Sequence, residues 1–554
     1  MPHLISLPQT KKYWQIKLKY FYIILCLKVL LTSELYALDS YPKNNALDVI
    51  TYDFYLYLND NNDSIFGEAQ IDLKVKNKNA QSFTLDLSNV STKSNGLGML
   101  VDSVLVMGIK TIFTHESDQL ILLFKDAVEV EQLLSIKIFY RGIPIDGLII
   151  SENKYGSRTF FGDNWPNRAH HWLPCIDHPY DKAYCTFTVE APPHYEVIGP
   201  GRKTEESLTK RATKITSWES TAPLATKVMV IGVAPFAIQY LPQVNEIPVQ
   251  NWVFPENKEA GFYDYSPASE VLAYFEQRIG PFAYAKLANV QSKTKYGGME
   301  NASNIFYFEN SVTGKKTIEN LIAHEVAHQW FGDAVTEADW HHIWLSEGFA
   351  TYFTNLFIEH KYGKDSLNRS LQKQKKQILN FYKTNPTSSI IDFNISNLND
   401  LLNTNTYQKA SWVLHMLRQE LGDEIFFKGI STYYRNHKNG NALTQDFQFI
   451  MEKLSDRSLE WFFEQWLYQP GLPKISTSWK YDKRKNMLKY TVEQVQEEAP
   501  FKFTLDLKIL SSENKVTYKH IDIDQRVHIF ELPLSNRPKN IEVDPFKKML
   551  LFNE

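Results

Sequence analysis

A chain of 554 residues is longer than one ordinary core and implies about two to four domains. A hydrophobic fraction of 43%, with 14% aromatic and 22% charged residues, is ample for packed cores and describes a folded soluble body rather than a disordered or fibrous one. The formal net charge of -3 is near neutral for this size, and no lysine or arginine stripe is interleaved with aromatics, which argues against nucleic acid as a partner.

Residues 1–37 stand apart from the rest. Within "KKYWQIKLKYFYIILCLKVLLTSELYA" a basic start leads into an apolar stretch from about Tyr20 to Leu31, and Ala37 stands where a signal peptidase cuts. The segment reads as a secretory signal, placing the protein in the periplasm, outside the cell or at its surface. Lys28 interrupts the apolar stretch and Leu35 occupies a position where a smaller residue is preferred, so an uncleaved membrane anchor is the alternative, although the run is shorter than the roughly 20 residues that span a bilayer. Contact with a membrane is expected only if the segment is retained. Cys175 and Cys185 would remain after cleavage; two cysteines make no disulfide framework and no zinc spacing, and they read as small buried residues.

From about Asp48 to Tyr240 apolar residues alternate at period two, as in Ile71, Leu73 and Val75, in Phe83, Leu85 and Leu87, and in Leu134, Ile136 and Ile138. Such alternation marks half-buried antiparallel strands. A large N-terminal β domain is therefore expected over 42–240. From Ser266 onward, runs such as "SPASEVLAYFEQRIG" and "SLNRSLQKQKKQILNFYK" have helical period, which predicts a mainly helical domain over 241–468. Alternation returns in Phe501, Phe503, Leu505, Leu507 and Ile509, so a small C-terminal β-sandwich is expected over 469–554. The fold class is multidomain α+β.

The helical part carries "LIAHEVAHQWFGD", Leu321 to Asp333. Residues four apart lie on one helix face, so His324 and His328 present two imidazole nitrogens to a single ion, with Glu325 beside it. With 15 His in 554 residues, a chance H-E-x-x-H is expected only ~0.02 times, which sets two satisfied core histidines well behind a metal site. A catalytic zinc takes three protein ligands and keeps one open position. His341, His342 and Glu347 all follow in "DWHHIWLSEGFATYF"; Glu347, at the start of a second helix facing the first, is the better third ligand, after eighteen intervening residues.

These residues carry a resemblance. "GGMEN" (Gly297 to Asn301), "HEVAHQW", "WLSEGFA", "YQKASWVLHML" from Tyr407 and "LPCIDHP" together resemble the aminopeptidase N family of zinc aminopeptidases, gluzincin metallopeptidases, over about Asp48 to Phe552. The resemblance implies one Zn²⁺ per chain on His324, His328 and Glu347, and peptide substrates with a free N-terminus. Bottom-up, such a zinc lowers the pKa of a water toward about 7 and polarises a peptide carbonyl, and Glu325 is placed as general base and then general acid. By resemblance, Tyr407 donates to the oxyanion of the tetrahedral intermediate. Gly297, Gly298, Met299, Glu300 and Asn301 are the expected substrate-binding set: the glycines admit substrate backbone to an edge strand, Met299 lines the first side-chain pocket by the same resemblance, and Glu300 binds the α-ammonium.

Three departures from the family pattern stand out. "YQKAS" has Ala410 where glycine is usual, which reads as a packing change that leaves Tyr407 in role. "FFGDNWPNRAHHWLPC" lacks the glutamine or glutamate that commonly helps bind the amine; Trp165 falls at that spacing, Asp163 or Asn164 are the substitutes, and His170 stands where arginine is frequent. The long helical C-terminal domain of many relatives does not follow the last β domain in this sequence, so a more open site is expected. Three rival functions remain: a metalloendopeptidase, opposed by Glu300; leukotriene-type epoxide chemistry, opposed by Leu402 where that chemistry has a second tyrosine; and a non-catalytic module of the same fold, opposed by the complete ligand set.

Overall fold

The computed structural model describes residues 39–77, 82–92, 94–124 and 128–553, and the expected signal or anchor segment lies outside them. In the first third, alternation becomes register. The strand Leu47–Tyr57 pairs antiparallel with Ile65–Val75, Tyr52 opposite Ile71, and the latter pairs with Leu133–Ile143, Ile71 opposite Ile136. Tyr184–Ala191 lies parallel on the other side of Leu47–Tyr57, within a sheet of eight strands. Ile71, Leu73, Val75, Ile136 and Ile138 are all buried, because period two puts every second side chain on the core face. Cys175 and Cys185 are buried free thiols.

A five-stranded sheet follows, in the order Ala237–Val244, Ile247–Val253, Leu287–Ser292, Asn304–Phe308, Gly298–Met299. Its first strand runs across the expected boundary at 240, so the part read as mainly helical opens with a sheet. The sheet is hard to read because Leu287–Ser292 is buried at all six positions, as central strands are, and shows no alternation. Gly298–Met299 is its edge strand, antiparallel to Asn304–Phe308 with Met299 opposite Phe306.

Two helices, α1 (Lys258–Tyr265) and α2 (Ala268–Arg278), are set between the sheet strands, and the rest of this region is mainly helical, with α3 (Glu319–His328), α4 (Trp344–Tyr362), α5 (Lys364–Tyr382), α6 (Ala410–Leu421), α7 (Asp423–His437) and α8 (Thr444–Ser455), beside a short parallel pair of strands, Val335–Glu337 and Gly440–Ala442. Helix α4 is buried on nearly every side, as its run of Trp344, Leu345, Phe349, Ala350, Tyr352 and Phe353 dictates, so it is the central post of the region. It stops at Gly363 (φ +82°) and α6 at Gly422 (φ +79°), backbone conformations that favour glycine. The turn Asn405–Lys409 that leads into α6 is a wide π turn, a device that re-aims side chains, here Tyr407.

Two sheets close the chain. Lys474–Asp482, Met487–Gln494, Val527–Pro533 and Phe552–Asn553 form one, and Phe503–Ser511, Val516–Ile523 and Pro538–Val543 the other. Leu488, Tyr490 and Val492 of the first and Leu505, Leu507 and Ile509 of the second are buried in one apolar core. Tyr41–Glu554 forms one compact unit.

Candidate active site

Helix α3 ends at His328 and α4 begins at Trp344, so the two imidazoles sit on the last turns of one helix and Glu347 in the first turn of the next. That placement suits the charges: a helix C-terminus favours positive charge and an N-terminus a carboxylate. His324 Nε2, His328 Nε2 and Glu347 Oε2 form a near-equilateral triangle, with edges of 3.1 Å between the imidazoles and 3.2 Å from each to the carboxylate. His328 Nδ1 faces the carbonyl oxygen of Phe331 at 3.1 Å, with Ser346 Oγ at 3.0 Å. A carbonyl only accepts, so Nδ1 carries a proton, and in the neutral ring that would bind a metal the Nε2 lone pair faces the triangle. Gly332 (φ +115°) makes this possible, because a Cβ there would stand 2.2 Å from Ser346 Oγ.

The triangle fits a divalent cation. Ligands about 2.0–2.1 Å from a tetrahedral zinc are about 3.3 Å from one another, close to the edges found here. The electrostatics ask for the same charge. Glu300, Glu325 and Glu347 are 5%, 4% and 5% exposed, three carboxylates in one buried space. Burial pushes the Glu325 carboxyl well up, and burial together with the Glu347 charge raises Glu300. Burial alone would raise Glu347 too, but the His328 and His324 imidazoles hold it far below the usual range. Against its own burial, His328 is pushed up to about 10 by the carboxylates of Glu347 and Glu300. A protonated imidazole is the positive charge that this donor set otherwise takes from a metal.

Around the triangle lies a cavity of about 260 Å³. Glu325 reaches it from α3, one residue after His324. The edge strand supplies Gly298, Met299 and then Glu300, whose carboxylate lies within 4.8 Å of ligand atoms of both Glu325 and His328. Gly298 owes its lack of a side chain to the protein itself, since a Cβ there would stand 2.3 Å from Glu325 Oε1; a Cβ at Gly297 would meet open space. Tyr407 donates its hydroxyl hydrogen to Glu347 Oε1 at 2.8 Å, and burial raises its pKa well up, so it remains a protonated donor. Of the residues the sequence singled out, Asn301 is the exception. The chain turns inward after Glu300, Asn304 N–H donating to Asn301 O, and the fully buried Asn301 side chain is off the cavity wall.

The alternatives weighed from sequence are engaged elsewhere. His341 Nδ1 lies 3.0 Å from Asp339 Oδ1 and His342 Nδ1 2.8 Å from Thr444 Oγ1. Asp163 pairs with Arg168 at 2.8 Å, and the Asn164 amide donates to the carbonyls of Thr226 and Met229. His170 is paired with Asp177 at 2.7 Å. Trp165 is the one of that stretch on the cavity wall.

Leu402, named from sequence only as an argument against epoxide chemistry, lines the cavity. Sequence reasoning did not single out several other residues that shape the site. Tyr296 and Leu321 also line the cavity. Gln329 donates to the Glu300 carbonyl at 2.6 Å and to Asp333 Oδ2 at 2.9 Å, which ties the edge strand to the end of α3. Lys227 forms a fully buried ion pair with Glu337 and lies near enough to Glu300 for its charge to act there. Of these, Gln329, directly after the second histidine, and Leu321, at the start of the same run, stood in a motif where a signal was available.

Two histidines and a carboxylate closing on a metal-sized gap, with a free carboxylate beside them, define a site of the metallopeptidase class. The comparisons agree: residues 49–228 match the Peptidase M1 N-terminal domain and residues 263–466 the Peptidase family M1 domain, and the chain belongs to the M1 peptidase family, a family of metallopeptidases. It is 26% identical over 449 residues to Aminopeptidase 2, mitochondrial, of Saccharomyces cerevisiae (74% of this chain, 45% of that protein) and 25% identical over 460 residues to the glutamyl aminopeptidase of Bitis rhinoceros (78% and 47%). The chain thus spans less than half the length of these curated relatives. Legionella pneumophila aminopeptidase A, solved in complex with aspartic acid, shares the fold at a TM-score of 0.79 and 16% identity, over 93% of this chain and 60% of that one.

Proposed function

We propose that the chain is a zinc-dependent aminopeptidase that releases N-terminal residues from peptides. Glu300 carries the reading. A buried carboxylate beside the metal donors, directly after an edge strand on which a peptide could align, is a partner for the free α-ammonium at a chain end. An internal peptide bond offers no ammonium and leaves Glu300 unpaired, so it is discriminated against. The names of the relatives support the same activity.

His324, His328 and Glu347 would hold the zinc, which supplies Lewis acidity toward the scissile carbonyl and lowers the pKa of water there. Glu325 receives the proton of the attacking water on its carboxylate and passes it to the departing amine nitrogen; its raised affinity for a proton, from burial, suits both halves of the task. Tyr407 gives its hydroxyl hydrogen to the oxyanion as the carbonyl carbon becomes tetrahedral. Glu300 fixes the amine and so sets which peptide bond is presented.

The test is digestion of an unblocked decapeptide followed by mass spectrometry, before and after chelation and zinc return. A ladder of single N-terminal losses that disappears with chelator and returns with zinc is expected. Internal fragments without the ladder would replace this reading by an endopeptidase. We also propose export of the protein, on the composition of residues 1–37; cell fractionation tests it, and recovery solely from the cytoplasm would refute it.

A further inference from the structure

With the metal donors, Glu325, Tyr407 and Glu300 assigned, the side chains that remain on the cavity wall, beside Gly297 and Gly298, are Trp165, Tyr296, Met299, Leu321 and Leu402. All five are apolar or aromatic. No lysine or arginine among the described residues lines the cavity. The Arg168 guanidinium lies 6.0 Å from the Tyr296 ring and is held by Asp146 at 3.0 Å and Asp163 at 2.8 Å, while Lys295 is held by Asp146 at 2.7 Å. These cations are committed outside the cavity. Trp165 is buried and braced edge-on by Tyr296 and by Trp340, each with ring centres 6.0 Å away, so this wall is rigid.

From this lining we infer that the site selects N-terminal residues with uncharged apolar side chains, leucine, methionine or phenylalanine, and that Trp165 is a specificity-determining residue. The inference rests on the aminopeptidase reading and adds the substrate class. An acidic side chain would bring a fourth carboxylate into a space that holds Glu300, Glu325 and Glu347 and offers it no uncommitted cation, since the zinc would be held by its three ligands and the buried Lys227 is paired with Glu337. A basic side chain would find those three carboxylates already taken by the amine, the proton transfer and the metal. An apolar side chain loses water against the Trp165 wall, and that burial is worth on the order of 10-fold or more over alanine in kcat/KM.

The experiment is a panel of aminoacyl coumarylamides with Ala, Leu, Met, Phe, Glu and Lys, assayed on the wild-type zinc enzyme. Leu, Met and Phe should exceed Ala by about 10-fold and Glu by about 100-fold or more, with Lys below Leu. Glu, Lys or Ala as the best substrate would overturn the inference while leaving the aminopeptidase reading intact. Failure to cleave any free-amine substrate, Ala included, would instead remove that reading. In Trp165→Ala the Leu:Ala ratio should fall toward one through KM; an unchanged ratio would take Trp165 out of the pocket. Should that variant fail to fold, Leu402→Arg, at a half-buried position, is the second probe. It places a cation in the cavity and should raise the Glu:Leu ratio at least 10-fold, and an unchanged ratio would show that Leu402 does not face the side chain.

Discussion

Gly348 follows Glu347 in α4, and a Cβ there would stand 2.5 Å from the Cβ of Ala410 at the start of α6. Carbon atoms in contact sit about 3.5–4.0 Å apart, so Gly348→Ala must push the two helices apart by about 1 Å or more. The displacement falls between the residues that flank it, Glu347 on one helix and Tyr407 on the turn entering the other. Their hydrogen bond, 2.8 Å long, would stretch beyond hydrogen-bonding distance. Overpacking of this kind costs about 1–3 kcal/mol of stability, and misplacing catalytic groups by about 1 Å costs on the order of 100-fold in rate. The assay is kcat/KM on a leucyl coumarylamide, with chemical denaturation for stability and metal content by mass spectrometry. Ala410→Gly removes the opposing methyl and should rescue Gly348→Ala, while alone it costs about 0.5–1 kcal/mol for glycine in a helix. The double variant should then be both more stable and more active than Gly348→Ala, a coupling of at least about 1 kcal/mol. Gly348→Ala with wild-type stability and rate, or no rescue by Ala410→Gly, would refute the contact and its link to Tyr407.

Glu325→Gln should keep metal and fold while losing several orders of magnitude in turnover, since the proton acceptor is gone and the ligands remain; near-wild-type turnover in single-turnover kinetics would assign the base elsewhere. Tyr407→Phe should lose about 100-fold in kcat with little change in KM, because its hydrogen bond strengthens only as the oxyanion forms; a loss confined to KM would make it a substrate-binding group. Glu347→Ala should lose the metal, and full occupancy in that variant would show that another residue completes the donor set. Lys227→Met leaves Glu337 charged and unpaired in a fully buried place, which costs about 3–5 kcal/mol. Pairing it with Glu337→Leu should recover most of that loss in a denaturation midpoint, and no recovery would mean that the ion pair is not what the site depends on.

What sequence could reveal follows from how local each pattern is. The faces of the strands around Ile71, Phe83, Ile136 and Leu505 were legible because alternation is written residue by residue, and each of these is buried in the structure. His324, Glu325 and His328 were legible because one helical turn fixes their relation. The edge position of Gly298–Met299 was legible through two adjacent glycines and a resemblance, but the reason for Gly298, the Glu325 carboxylate against it, was not. The strand Leu287–Ser292 hid because burial on both faces erases period two. Ala410 read as a harmless packing change; its partner, Gly348, lies 62 positions earlier and shows only in space. The same holds for Lys227 and Glu337, whose pairing across 110 residues leaves no trace in spacing. Asn301 was grouped with Glu300 by motif alone, and the turn that buries it is set by hydrogen bonds that no motif records.

The most direct measurement is kcat/KM for a leucyl peptide with a free amine against the same peptide N-acetylated, in the zinc-loaded wild type and in Glu300→Ala. A buried carboxylate facing an ammonium contributes on the order of 2–4 kcal/mol of discrimination, or roughly 30- to 1,000-fold. The wild type should prefer the free amine by that factor. Glu300→Ala should retain its zinc and lose most of its activity on the free-amine peptide. Equal cleavage of the free and acetylated peptides by the wild type would contradict the aminopeptidase reading.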